Sequence, residues 1–148
     1  DNGDNMTSVA FLQGASAIEQ TVSGLTIGGE YVFGMDFNAR NCCGDPPGMP
    51  IGTILVDGEV VLSSADLFPD PAGIPAVGGE EPWYHADIPF AATAESLTLR
   101  IAATPAVAGT DATMLVDNVS VELIPEPSSA LLALLGLFGL VRCRPRRK

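Results

Sequence analysis

The chain has 148 residues, 47% of them hydrophobic, with 18 acidic residues against seven basic ones, which is long and apolar enough for one domain with a real core. The charge is unevenly spread: two arginines against 18 carboxylates leave residues 1–127 at −16, and five cations put residues 128–148 at +5, for a net −11. A body without a basic patch excludes phosphate-led nucleic-acid binding, and one histidine with no Cys-x-x-Cys pair excludes a zinc site.

The polar opening run Asp1-Asn2-Gly3-Asp4-Asn5 follows no initiator Met and holds neither a basic n-region nor an apolar h-region, so no secretory signal is read there. We take Asp1 as a truncation point. The body is then predicted to be short strands set apart by turn residues. Val9–Leu12 is an apolar run, and residues 17–22 alternate, with Ile18, Gln20 and Val22 opposed to Ala17, Glu19 and Thr21. Residues 30–38 alternate more clearly, with Tyr31, Phe33, Met35 and Phe37 on one face, the pattern of a strand with a buried aromatic side.

Asp57-Gly58 between Ile54-Leu55-Val56 and Val60-Val61-Leu62 predicts a tight hairpin, because that dipeptide supplies positive φ angles. In Trp83–Phe90, Trp83, His85, Asp87 and Pro89 oppose Tyr84, Ala86, Ile88 and Phe90. Leu97, Leu99 and Ile101 form one inward face. In residues 114–123, Leu115, Asp117, Val119, Val121 and Leu123 share a face, with Asp117 its polar member. No body segment keeps a helical period, and Gly and Pro punctuate throughout. Eight short strands predict an all-β fold, an antiparallel β-sandwich of the jelly-roll kind over residues 1–123.

The adjacent Cys42 and Cys43 leave three states open: a strained vicinal bridge, two free thiols, or pairing with a segment beyond the chain. Sequons stand at Asn5 and Asn118, and Asn118 falls inside a predicted strand.

The end of the chain, residues 124–148, is of another kind. Pro125-Glu126-Pro127 stops the last strand, because proline cannot donate to a sheet. An uncharged segment, 128–141, follows, and then Arg142, Arg144, Arg146, Arg147 and Lys148. An apolar helix ending in cations is a stop-transfer pattern that keeps the basic end cytoplasmic and the acidic body outside. Its 14 uncharged residues are short of the ~20 that span a bilayer, which suits a transient anchor, and the arginines can snorkel. The order Pro-Glu-Pro, apolar helix, basic terminus resembles the PEP-CTERM sorting signal. The resemblance implies an exported protein of a Gram-negative bacterium, anchored in the inner membrane by the C-terminal helix. There an exosortase-type enzyme processes it before release to the cell surface or the extracellular polysaccharide.

The body is also similar to galactose-binding-like jelly rolls, on Ile18-Glu19-Gln20 before Gly24-Leu25, Gly28-Gly29-Glu30-Tyr31 leading to Phe37-Asn38-Ala39-Arg40, and Leu115-Val-Asp-Asn-Val-Ser-Val121. That likeness implies a carbohydrate-binding module, with an earlier strand or two before Val9. Sugar binding needs flat aromatic faces and hydrogen-bonding neighbours; Trp83, Tyr84, His85, Arg40, Asn41 and Asp45 are the cluster of suitable types. Because successive strand residues face opposite ways, one of Trp83 and Tyr84 is expected in the core. An inward Asp117 has two readings: a structural calcium ligand, with Glu19 or Asp1–Asn5 as partners, or a carboxylate satisfied by backbone donors at the sandwich edge.

No Gly-x-Ser-x-Gly elbow, phosphate loop or Cys/His dyad is present. The expectation is therefore a non-catalytic surface or matrix protein that binds polysaccharide or a neighbouring protein. The alternatives are an accessory domain of a larger exported hydrolase, or a structural envelope protein without a ligand. The acidity of the body fits contact with neutral sugars or cations, and equally serves solubility alone.

Overall fold

The computed structural model describes residues 8–40, 48–69, 73–77 and 82–125. Asn41, Cys42, Cys43, Asp45, the Asp1–Asn5 run, Glu126, Pro127, the 128–141 segment and the basic end 142–148 lie outside them. Among the described residues no helix is long and apolar enough to cross a membrane.

Among the described residues eight strands form two four-stranded sheets. They are β1 (Ala10–Gln13), β2 (Ser16–Ser23), β3 (Glu30–Ala39), β4 (Pro50–Val56), β5 (Glu59–Ser63), β6 (Tyr84–Ala91), β7 (Ser96–Pro105) and β8 (Thr113–Leu123). The first sheet runs β1-β8-β3-β6 and the second β2-β7-β4-β5, with every ladder antiparallel. The single helix among these elements is one turn, α1 (Ser64–Leu67), whose N-cap Ser63 accepts from the Ala65 N–H. This is the antiparallel β-sandwich that the strand pattern predicts.

The core is the apolar half of each alternation. Tyr31, Phe33, Met35 and Phe37 of β3 are all buried, and Leu97, Leu99, Ile101 and Ala103 of β7 face them from the other sheet. Ile74, fully buried, joins the same cluster from the 73–77 segment. The β4–β5 hairpin turns at Asp57 (φ 51°) and Gly58 (φ 86°), the two positive φ angles of a tight turn whose twist matches its strands. Pro89 sits in β6, an edge strand, where a missing N–H is tolerated.

β8 departs from a single alternation. Gly34 pairs with Ser120 but Asp36 pairs with Asp117, so β8 carries one extra residue, and Asn118 there takes φ 50°. A bulge of this kind changes which residues face inward. Before it Met114 and Val116 are buried; after it Val121 packs on the core. The single face expected for Leu115, Asp117, Val119, Val121 and Leu123 is therefore broken, and Asp117 points outward.

β1 covers only part of β8, from Thr113 to Val116. Beyond it the sheets part between β2 and the far half of β8, leaving a groove of about 340 Å³ lined by Ile18, Val22, Phe33, Leu99, Val119 and Val121 among others. Ile18 belongs to the inward alternation of β2 yet is 39% exposed, because it opens into that groove.

Candidate ligand-binding face

The alternation that buries the aromatic side of β3 turns Val32, Gly34, Asp36 and Asn38 to the outer surface of the first sheet. In β6 the same rule buries Ala86, Ile88 and Phe90 and exposes His85 and Asp87. The register sets His85 opposite Asp36 and Asp36 opposite Asp117. Paired residues on one face stand about 5 Å apart, so three strands deliver one polar row.

The row is hydrogen-bonded along its length. His85 Nδ1 lies 2.6 Å from Asp36 Oδ1, and His85 Nε2 lies 3.1 Å from Asp87 Oδ1. Asn118 Nδ2 donates to Asp36 Oδ2 at 2.7 Å. The hydrogen bond to Asp36, then that to Asp87, raises the His85 pKa above its usual 6.5. Gly34 sits beneath this row: a Cβ there would come within 2.9 Å of Ser120 Oγ, so glycine lets the neighbouring side chains close over the strand.

A second cluster occupies the β1 side. The Arg40 guanidinium lies 4.9 Å above the Phe11 ring centroid and donates to Asp111 Oδ2 at 3.0 Å. Gln13 donates to the other oxygen of Asp111 at 2.7 Å. Phe11 is 49% exposed, so this cation–π pair stands in solvent. Phe11 is opposite Leu115, and Leu115 is opposite Asn38. Buried Asn38 is committed to structure: its Oδ1 accepts from the Ala39 and Val77 N–H groups, and its Nδ2 donates to the Val77 carbonyl.

The residues expected at a site are thus distributed as follows. Tyr84 is the core member of its pair, 5.5 Å from Phe37 and 4.9 Å from Phe68 between ring centroids. Trp83, half-buried, precedes β6 and stays outside that aromatic cluster. Arg40 is on the face, tied to Asp111. His85 is the exposed strand residue that alternation implies. Glu19 is on the other sheet, bonded to Arg100 at 2.8 Å.

Asp117 Oδ1 accepts the Asn118 N–H at 2.8 Å, and its Oδ2 is buried without a hydrogen-bond partner. One such oxygen suits a cation, but no group of three His, Cys, Asp or Glu forms a cage among the described residues. The partner proposed for Asp117 in Glu19 is on the opposite sheet. Phe11, Gln13, Asp36, Asp87 and Asp111 were not singled out as site residues by the sequence; strand alternation, which sets Asp87 on one face with His85 and Asp36 opposite the aromatic face of its strand, was the signal available for the row.

No protein-family model matches the chain, and no curated protein matches it. Among solved structures it is similar to the EclA C-terminal domain, described as a sugar-binding protein, with a TM-score of 0.54 and 13% identity, covering 78% of this chain and 79% of that one. A CBM4 structure matches with a TM-score of 0.46 and 13% identity over 82% of this chain and 87% of that one. A family 35 carbohydrate-binding module from an environmental isolate matches with a TM-score of 0.45 and 11% identity over 86% and 87%. At these identities the likeness is one of fold: the chain shares its β-sandwich with the EclA C-terminal domain.

Proposed function

We propose that this chain is an exported, non-catalytic cell-surface or extracellular-matrix protein whose sandwich, residues 1–123, binds polysaccharide. In this reading the tail at 124–148 is a PEP-CTERM signal: Pro125, Glu126 and Pro127 are the sorting motif, 128–141 the membrane helix, and Arg142, Arg144, Arg146, Arg147 and Lys148 the cytoplasmic anchor. An exosortase-type enzyme is its processing partner. The observation that carries the binding role is one sheet face that sets exposed aromatic surface at Phe11 beside hydrogen-bonding groups fixed by their own partners. Sugar rings offer a flat C–H surface and a rim of hydroxyls, and such a face answers both. Trp83 and Arg40 are assigned to it, Tyr84 supports it from the core, and Asn41, outside the described residues, is carried as a further ligand-binding candidate from the sequence.

Polysaccharide pull-down with the full chain tests the reading. Phe11→Ala and Trp83→Ala are each expected to weaken binding about tenfold, the loss of roughly one aromatic contact of ~1.4 kcal/mol. Failure to retain any of a panel of neutral, anionic and amino polysaccharides would remove the carbohydrate role. Mass spectrometry of the protein isolated from cells tests the tail: an end near Pro127 is expected, and a retained basic terminus would refute processing.

A further inference from the structure

His85 has carboxylates at both ring nitrogens. Ionised carboxylates only accept hydrogen bonds, and neutral imidazole has a single N–H. The geometry of 2.6 Å to Asp36 and 3.1 Å to Asp87 is therefore that of an imidazolium donating on both sides. The two bonds join different things: Asp36 belongs to β3, in the middle of the sheet, and Asp87 to β6, the edge strand. Among the described residues β6 pairs with β3 alone, so the His85–Asp36 bond is a side-chain tie across the one described ladder that holds this edge.

We propose that His85 is a proton-operated latch on the ligand-binding face, closed as an imidazolium between Asp36 and Asp87 and released when it gives its proton to solvent. This rests on the carbohydrate reading for what the face does. On release the remaining N–H stays with Asp36, the shorter contact, and the bare Nε2 is left facing the Asp87 oxygen, acceptor against acceptor. Asp87, whose side chain is 67% exposed, turns to water. The row of His85, Asp36 and Asp87 changes from a formal charge of −1 to −2. Among the described residues the other carboxylates on that side are Asp117 and Glu122 of β8, the strand beside β3, and Glu30 at the start of β3 itself, and none of them brings a positive charge to compete with the imidazolium. No described arginine competes for the row: Arg40 is bound to Asp111 and Arg100 to Glu19 on the other sheet.

The sign follows from the raised pKa. The hold is full below pH 6.5, the ordinary histidine value, and is lost as pH climbs through the higher folded value. Ligand binding is then expected to be strongest in mildly acidic to neutral conditions.

His85 is the only histidine in the chain, so its imidazole ¹⁵N signals are unambiguous in labelled full-length protein in detergent micelles. Two protonated nitrogens at pH 6, a midpoint above 6.5, and an Nδ1-protonated tautomer at high pH are expected. Asp36→Asn and Asp87→Asn should each lower the midpoint, Asp36→Asn by more. A midpoint at or below 6.5 in the wild type would overturn the latch. In parallel, retention on an insoluble neutral β-glucan should fall several-fold across the midpoint, and His85→Gln should abolish that dependence while keeping the protein folded. Retention that is pH-independent in the wild type refutes the latch and leaves the carbohydrate reading standing. If no polysaccharide is retained at any pH, the carbohydrate reading fails and amide exchange decides the latch. Faster exchange across Tyr84–Ala91 above the midpoint supports it, and unchanged exchange overturns it.

Discussion

The outer faces of the two sheets differ far more than their inner ones. Inside, both present the same alternating apolar residues to one core. Outside, the second sheet shows Thr21, Thr98, Ala102 and Thr104 around one ion pair, Glu19–Arg100. The first sheet shows a bonded row across three strands and an arginine stacked on an exposed phenylalanine. The inner faces are interchangeable because burial asks only for apolar volume. The outer faces are where chemistry is free to vary, and here it is concentrated on one of them.

The largest effect should come from breaking both faces at once. Phe33 is almost fully buried beneath the first sheet and also lines the groove against the second. Phe33→Ala is expected to cost about 3–5 kcal/mol by lost burial and a residual cavity, read as a shift in urea midpoint. Next, Asp36→Asn touches the first face alone. It removes the charged acceptor shared by His85 and Asn118, and because both donors are exposed a loss of about 1–1.5 kcal/mol is expected, with the His85 midpoint moving down. If stability falls but the His85 midpoint does not move, the row is packing and not a charged network.

Gly58→Ala tests the second sheet through its hairpin. A Cβ at φ 86° costs about 1 kcal/mol, with no change in polysaccharide retention. The smallest effect belongs to Arg100→Gln. Both partners of that pair are about half exposed, so less than about 0.5 kcal/mol is expected, again without effect on binding. A clear loss of retention in Arg100→Gln would move the ligand site to the second sheet and dissolve the contrast.

Much of the architecture is legible in the order of residues along the chain. Side chains in a strand alternate with period two, so residues 30–38 and 97–101 announce their buried faces, and Asp57-Gly58 announces its turn. The failure at Asp117 has a physical reason. Alternation counted along 114–123 assumes an unbroken strand, and the bulge at Asn118 is visible only once β8 is laid against β3. Trp83 and Tyr84 show the intermediate case: alternation requires that one is core, and packing against Phe37 and Phe68 decides that it is Tyr84.

By itself, then, the sequence determined the fold class, the inward residues of most strands, the hairpin, and the split between an acidic body and a basic-ended apolar tail. All of these are local, set by neighbours in the chain. Tertiary structure alone assembled the candidate face. His85 meets Asp36 from 49 residues away and Asn118 meets it from 82, while Arg40 reaches Asp111 across 71. Such meetings depend on strand order and register, which no periodicity along the chain encodes.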